Sequence, residues 1–181
     1  MFGVVPKTLW QQQAEADERN RVRLACNCLL VRTPDALALI DTGFGERLDE
    51  RARDIYGAEA GCSLRSSLLR ANVTPEDIDL VVFTHLHFDH LAGSLCELDG
   101  ELRAVFPRAT HCVQRGELRD ALAGRSTMKS SYRPTDLSAL EQQVSIKLLY
   151  GDSELSPYLS TFITGGHTEW HQGIMVTGSN Q

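Results

Sequence analysis

No stretch of this chain holds apolar residues at the length needed to cross a bilayer, and its start lacks the charged residues and apolar run of a secretory signal. Both absences predict a cytoplasmic protein with no membrane partner. Lysine and arginine, 18 against 24 aspartates and glutamates, are scattered rather than gathered in a basic run, which argues against nucleic acid and for a small-molecule substrate. No C-x-x-C pair occurs. The five cysteines, Cys26, Cys28, Cys62, Cys96 and Cys112, are odd in number and widely spaced, as reduced thiols are. Cys26 and Cys28 are expected to be small buried hydrophobes. With no repeat, low-complexity tract or Pro/Gly/Ser-rich linker, residues 1–181 read as a single domain.

What the chain does have is metal ligands. Residues 84–93 read T-H-L-H-F-D-H-L-A-G, which puts His85, His87, Asp89 and His90 within six positions. Imidazole nitrogen and carboxylate oxygen are the donors that divalent zinc prefers, and neutral histidine is available at ordinary pH. The preceding run, Val81, Val82 and Phe83, is apolar and β-favouring. If that strand continued, His85 and His87 would share one face, because side chains repeat every second residue. Asp89 and His90 then need a turn to reach a neighbouring position.

Hydrophobic patterning predicts strands at 24–32 and 36–40 around the turn Thr33-Pro34-Asp35, a hairpin, with Asp41-Thr42-Gly43 at its end. Helical character follows at 46–56 and 63–71. Thr74-Pro75-Glu76-Asp77 reads as a helix start leading into a strand at 80–83. Beyond the histidines come short strands at 104–106 and 111–114, a helix at 116–123, a mobile loop at 124–135, a helix at 137–143, and strands at 144–150, 160–164 and 173–176. Strands interleaved with helices and hairpins indicate a mixed α/β or α+β sandwich. Phe88, Met128 and Tyr132 are candidates for a pocket wall or for the core; Arg115 and Glu117 read as solvated helix-end charges, and His111 as a core or surface histidine.

Three segments in order, Leu39-Ile40-Asp41-Thr42-Gly43, Thr84-His85-Leu86-His87-Phe88-Asp89-His90 and Gly165-Gly166-His167-Thr168, resemble the metallo-β-lactamase-fold hydrolases. The opening Phe2-Gly3-Val4-Val5-Pro6-Lys7 and the segment Phe106-Pro107-Arg108-Ala109 resemble the branch that includes N-acyl homoserine lactonases. The resemblance implies an αββα sandwich with metal at one edge of the sheets. It implies a first zinc on His85, His87 and His167, and a second to which Asp89 and His90 contribute. Asp41 becomes an outer residue supporting a ligand, or a turn former after a strand. His171 reads as a supporting or structural histidine. The implied activity is hydrolysis of a small ester or lactone by water activated on zinc, with Asp89 available to orient that water or move its proton.

The chain departs from that pattern. Family members supply a bridging aspartate and a further histidine after the third segment, whereas Glu169 is the one acid and His171 the one histidine that follow His167. The expectation is a sandwich incomplete towards its C-terminal part and short at both ends. Such a chain holds one zinc more firmly than two. Its uncovered sheet leaves self-association open. The alternative reading is a non-enzymatic metal-binding fragment that lacks the later ligands.

Overall fold

The computed structural model describes residues 5–59, 63–125 and 129–178. The chain divides into two compact units, one of Met1–Ala25 with Leu48–Gly61 and a larger one of Cys26–Arg47 with Cys62–Gln181. In chain order the strands are β1 (Leu29–Arg32), β2 (Leu37–Ile40), β3 (Leu80–Val82), β4 (Leu95–Leu98), β5 (Glu101–Ala104), β6 (Thr110–Gln114), β7 (Ser145–Leu149), β8 (Ser153–Ser156), β9 (Leu159–Ile163) and β10 (Gln172–Val176). The helices are α1 (Lys7–Trp10) and α2 (Glu50–Tyr56) in the smaller unit, and α3 (Leu64–Arg70), α4 (Phe88–Leu91), α5 (Arg115–Leu122) and α6 (Pro134–Gln143) in the larger.

The larger unit is mixed α/β. A five-stranded sheet runs in the order β1-β2-β3-β6-β7, antiparallel at β1–β2 and parallel from β2 onward. Strand β2 is buried at all four positions because it is covered on both faces, as parallel-paired strands are. Alternation along it sorts the core. Leu37 and Leu39 pack with Leu68, Leu118, Leu137 and Leu140 from α3, α5 and α6. Ala38 and Ile40 point the other way, into a cluster with Val82, Cys112 and Leu159, against the antiparallel sheet β10-β9-β8. Helices on one face and a second sheet on the other make the layered sandwich that the sequence predicts.

The smaller unit is tied by polar contacts. Asp17 accepts the backbone N–H groups of Arg19 and Arg21 at 2.9 and 2.8 Å, and Arg19 makes a bidentate pair with Asp54 at 2.7 and 2.9 Å. Helix α2 begins later than position 46, because the Asp49 carboxylate accepts the Ala52 N–H at 2.6 Å and so sets the cap there.

Several boundaries differ from the sequence reading. The first hairpin pairs Leu29–Arg32 with Leu37–Ile40 and stops, since Asp41 leaves the sheet with a left-handed φ of 55° and residues 24–28 have no ladder to join. Cys26 is consequently exposed and Cys28 half-buried, so the buried-hydrophobe expectation fails for Cys26. The helix expected from position 74 is a single 3-10 turn, Pro75–Asp77, closed by the Thr74–Asp77 capping box. The strand expected at 104–106 is Glu101–Ala104, paired with Leu95–Leu98 in a hairpin whose turn, Asp99-Gly100 with φ of 53° and 78°, is a strong hairpin signal. Helix α6 starts at Pro134 rather than 137, the ring being suited to a first turn. That start, a 3-10 turn at Lys129–Ser131 and buried Tyr132 give the later part of the expected loop defined structure. Met128, a pocket-wall candidate, lies outside the described residues.

Candidate metal centre

Strand β3 carries the chain to the edge where the two sheets meet. Phe83 N–H still bonds to the Cys112 carbonyl at 3.0 Å. Its own carbonyl takes the Gln172 side-chain amide at 2.7 Å, and the Thr84 carbonyl takes the Gln172 N–H at 3.0 Å. The start of β10 is thereby fastened to the strand that delivers His85. After His87 the chain turns into α4, which brings His90 back beside His85 with ring centroids 4.1 Å apart.

The third segment closes on itself. Thr164 and Gly165 N–H groups both bond to the His171 carbonyl, at 2.9 and 3.0 Å, and Gly165 and Gly166 hold φ of 60° and 88°, which glycine reaches without strain. This loop sets His167 Nε2 at 3.1 Å from His87 Nδ1. One ring nitrogen from each of His85, His87 and His167 lies within 4.8 Å of the others. Among the described residues these three form the convergent metal-capable group.

The donors fit a zinc ion. Two nitrogens bound to one tetrahedral zinc stand about 3.3 Å apart, close to the His87–His167 spacing. His85 is 2 % exposed. Its Nδ1 lies 3.0 Å from Thr84 Oγ1, whose single proton goes to Asp41 Oδ2 at 2.8 Å. Nδ1 therefore carries the ring proton, and the lone pair sits on Nε2, a buried atom without a hydrogen-bond partner. Burial, reinforced by the neighbouring histidines, pushes the His85 pKa far below the ordinary histidine value. His87 is pushed down to about 4, by burial first and His167 second. Neutral imidazoles are the form that binds a cation.

Asp89 and His90 stand beside this group. The Asp89 side chain is 45% exposed and 3.8 Å from His90 Nε2. His90 Nδ1 lies 2.8 Å from Asp41 Oδ2. Burial lowers the His90 pKa, but the Asp41 hydrogen bond and charge, with Asp89 behind them, outweigh it and the net shift is upward. Asp41, 6 % exposed, also accepts the Thr84 N–H at 2.8 Å, so one carboxylate orients His90 directly and His85 through Thr84. His171 joins the cluster, 5.1 Å from His85 between ring centroids, with Nδ1 2.6 Å from Thr164 Oγ1. His111 lies apart, buried in the core against Phe83.

Glu117 overturns its reading as a solvated helix-end charge. It is 2 % exposed, with Oε1 accepting the Leu86 N–H at 3.0 Å and the Tyr132 hydroxyl at 2.8 Å, and Oε2 accepting the Thr168 hydroxyl at 2.8 Å. The signal was present in the chain: Glu117 and Ala121 share a helix face four residues apart, and Ala121 is core. Arg115, on the other side, is exposed. Tyr132, one of the pocket-wall candidates, packs edge-on against His87 at 4.7 Å. Phe88 lies beneath the Arg133 guanidinium at 4.4 Å.

Residues 21–96 match the metallo-beta-lactamase superfamily. An N-acyl homoserine lactonase of Bacillus cereus is 25% identical over 167 residues, 87% of this chain and 60% of that protein. A probable metal-dependent hydrolase from Staphylococcus aureus, known by its crystal structure, superposes with a TM-score of 0.85 at 33% identity, over 98% of this chain and 63% of the other. An N-acyl homoserine lactone hydrolase with N-hexanoyl-L-homoserine bound at its catalytic metal centre superposes with a TM-score of 0.60 at 25% identity, over 84% and 58%. Fold, ordered ligand segments and these matches define the class that the chain resembles, the metallo-β-lactamase superfamily, whose fold it shares. Within that class N-acyl homoserine lactonases are among the proteins it is similar to, and it spans about three fifths of the length of the relatives it matches. Among the described residues no helix is long and apolar enough to cross a membrane.

Proposed function

We propose that the protein is a zinc-dependent hydrolase of a small ester or lactone. The observation that carries this reading is the convergence of His85, His87 and His167 to within 4.8 Å, with a buried, unpartnered Nε2 on His85. His85, His87 and His167 would hold the ion, and Asp89 with His90 would serve a second. Zinc, when bound, polarises a carbonyl and makes water acidic enough to attack near neutral pH. The chain's own groups do the rest. Asp89, half-exposed beside His90, would accept the proton of the attacking water and return it to the oxygen of the departing alkoxide. Asp41 holds the His90 Nδ1 proton and so fixes the direction of that ring.

Protein purified without chelator is expected to carry zinc and to open an N-acyl homoserine lactone or an aryl ester, with activity lost on chelation and regained with zinc. A preparation that binds no zinc overturns the proposal. A second reading, metal binding without turnover, is favoured by one observation: Asp89 and His90 lie outside the convergent group. Zinc at one equivalent with no hydrolysis of either substrate decides for it.

A further inference from the structure

The His167 loop rests on α5 and on the end of β6. A Cβ at Gly116 would fall 2.1 Å from the Trp170 ring, so only glycine lets the helix come this close. Trp170 Nε1 donates to Asp120 at 2.9 Å, and Gln114 donates to Gln172 at 2.8 Å. At the centre of this seam Glu117 extends its carboxylate to both ligand segments at once. Leu86, whose N–H it holds, lies between His85 and His87; Thr168, whose hydroxyl it holds, follows His167. Tyr132, bonded to the same oxygen as Leu86, presses its ring on His87.

We infer that Glu117 is the positioning residue of this centre, a single carboxylate that sets the 85–87 segment and the 167–168 segment in one geometry. The inference rests on the zinc reading above. A carboxylate is costly to bury, and exchanging a buried charge for a well-packed apolar side chain of similar volume is often neutral or stabilising. None of the ion pairs among the described residues involves Glu117, and its lone pairs are met by three neutral donors that all belong to the surroundings of the histidines. Its charge therefore complements a cation held by those histidines, and its hydrogen bonds decide where their rings stand. Groups that orient metal ligands in this way typically account for about 10- to 100-fold of metal affinity.

Two variants test it. Glu117→Gln keeps the shape and one acceptor oxygen but removes the charge and offers Thr168 a donor instead of an acceptor. Thr168→Val removes one hydrogen bond and leaves Glu117 in place. Zinc dissociation constants are measured by competition with a chromophoric chelator, alongside the absorption spectrum of the cobalt-loaded protein and the melting temperature of the metal-free protein. Leu140→Ala, a core truncation with no bond to the ligand segments, is the comparison. We expect about a 10- to 100-fold weaker zinc complex in Glu117→Gln, a smaller loss in Thr168→Val, and altered cobalt bands in both. Leu140→Ala is expected to lower the melting temperature and keep wild-type affinity. Wild-type zinc affinity and cobalt bands in both site variants overturn the inference alone; if Glu117→Gln does not fold, Thr168→Val decides by the same criterion. Wild-type protein that binds no zinc overturns the reading beneath it.

Discussion

His87 Nδ1 and His167 Nε2 face each other at 3.1 Å across a sequence separation of 80 residues. Two imidazole lone pairs do not settle at that distance without a proton or a cation between them, since each is a hydrogen-bond acceptor. The loop that delivers His167 is held by α5 on one side and by the Gln172–Phe83 bond on the other.

Removing that partner should remove the metal. His167→Ala is expected to lose most bound zinc, measured by elemental analysis after gel filtration, with melting of the metal-free protein little changed because residue 167 is exposed. Retention of one full equivalent would mean the three rings do not share an ion.

Asp41→Asn should lower the His90 titration midpoint in the metal-free protein, followed by NMR of the ring protons. Asparagine tolerates the positive φ of this position, so the backbone is kept while the charge is lost. His90 has a raised folded pKa, so its contribution to stability is present below the unfolded value and fades as pH rises through the folded one. The variant should lack that acid-side contribution. An unmoved midpoint would show that Asp41 does not set the charge of His90.

The core histidine gives the opposite sign. Burial, partly offset by the Ala109 carbonyl, pulls His111 down to about 4. Between the unfolded value near 6.5 and that folded value, the unfolded chain binds the proton and the folded chain does not. Stability is therefore full above the unfolded pKa and falls as the pH drops towards 4, by about 3 kcal/mol at most. Urea unfolding of metal-free protein between pH 4 and 7 should show this loss, and His111→Leu should flatten the curve by about that amount. Identical slopes would refute it.

Gly93→Ala should be severely destabilising. A Cβ at this position would lie 1.9 Å from the Thr42 carbonyl oxygen, and Gly93 N–H already bonds to the Gly43 carbonyl at 3.0 Å. Accommodation requires the 41–43 segment to move away from the turn at Ala92–Ser94, at a cost on the order of 3 kcal/mol or more. Gly100→Ala, where a Cβ meets nothing within 4 Å, is the contrast and should cost about 1 kcal/mol, from its positive φ alone. Equal denaturation midpoints for the two variants would contradict the packing argument.

The metal-capable donor types of residues 85–90 were legible because they are local: residue types and spacing are written in six consecutive positions. The hairpin at 29–40 and β3 were legible for the same reason, their alternation or apolar continuity being a short-range property. The burial of Glu117 was hinted at by core Ala121 on the same helix face, but its partners were not legible. Its charge suggests solvent, and only the approach of α5 to two loops distant in sequence reveals three donors waiting for it. Cys26 erred in the other direction, an apolar-looking segment left exposed because Asp41 ends the ladder it would have joined.

Residue order alone thus determined the donor set, the glycines that let two loops turn, and the apolar periodicity that builds a sheet buried on both faces. Tertiary structure decided which nitrogen of His85 is free, which carboxylate stands behind His85 and His90, and that His167 reaches His87 at all. Those outcomes depend on hydrogen bonds and close packing between segments tens of residues apart, and no local pattern encodes the distance between them.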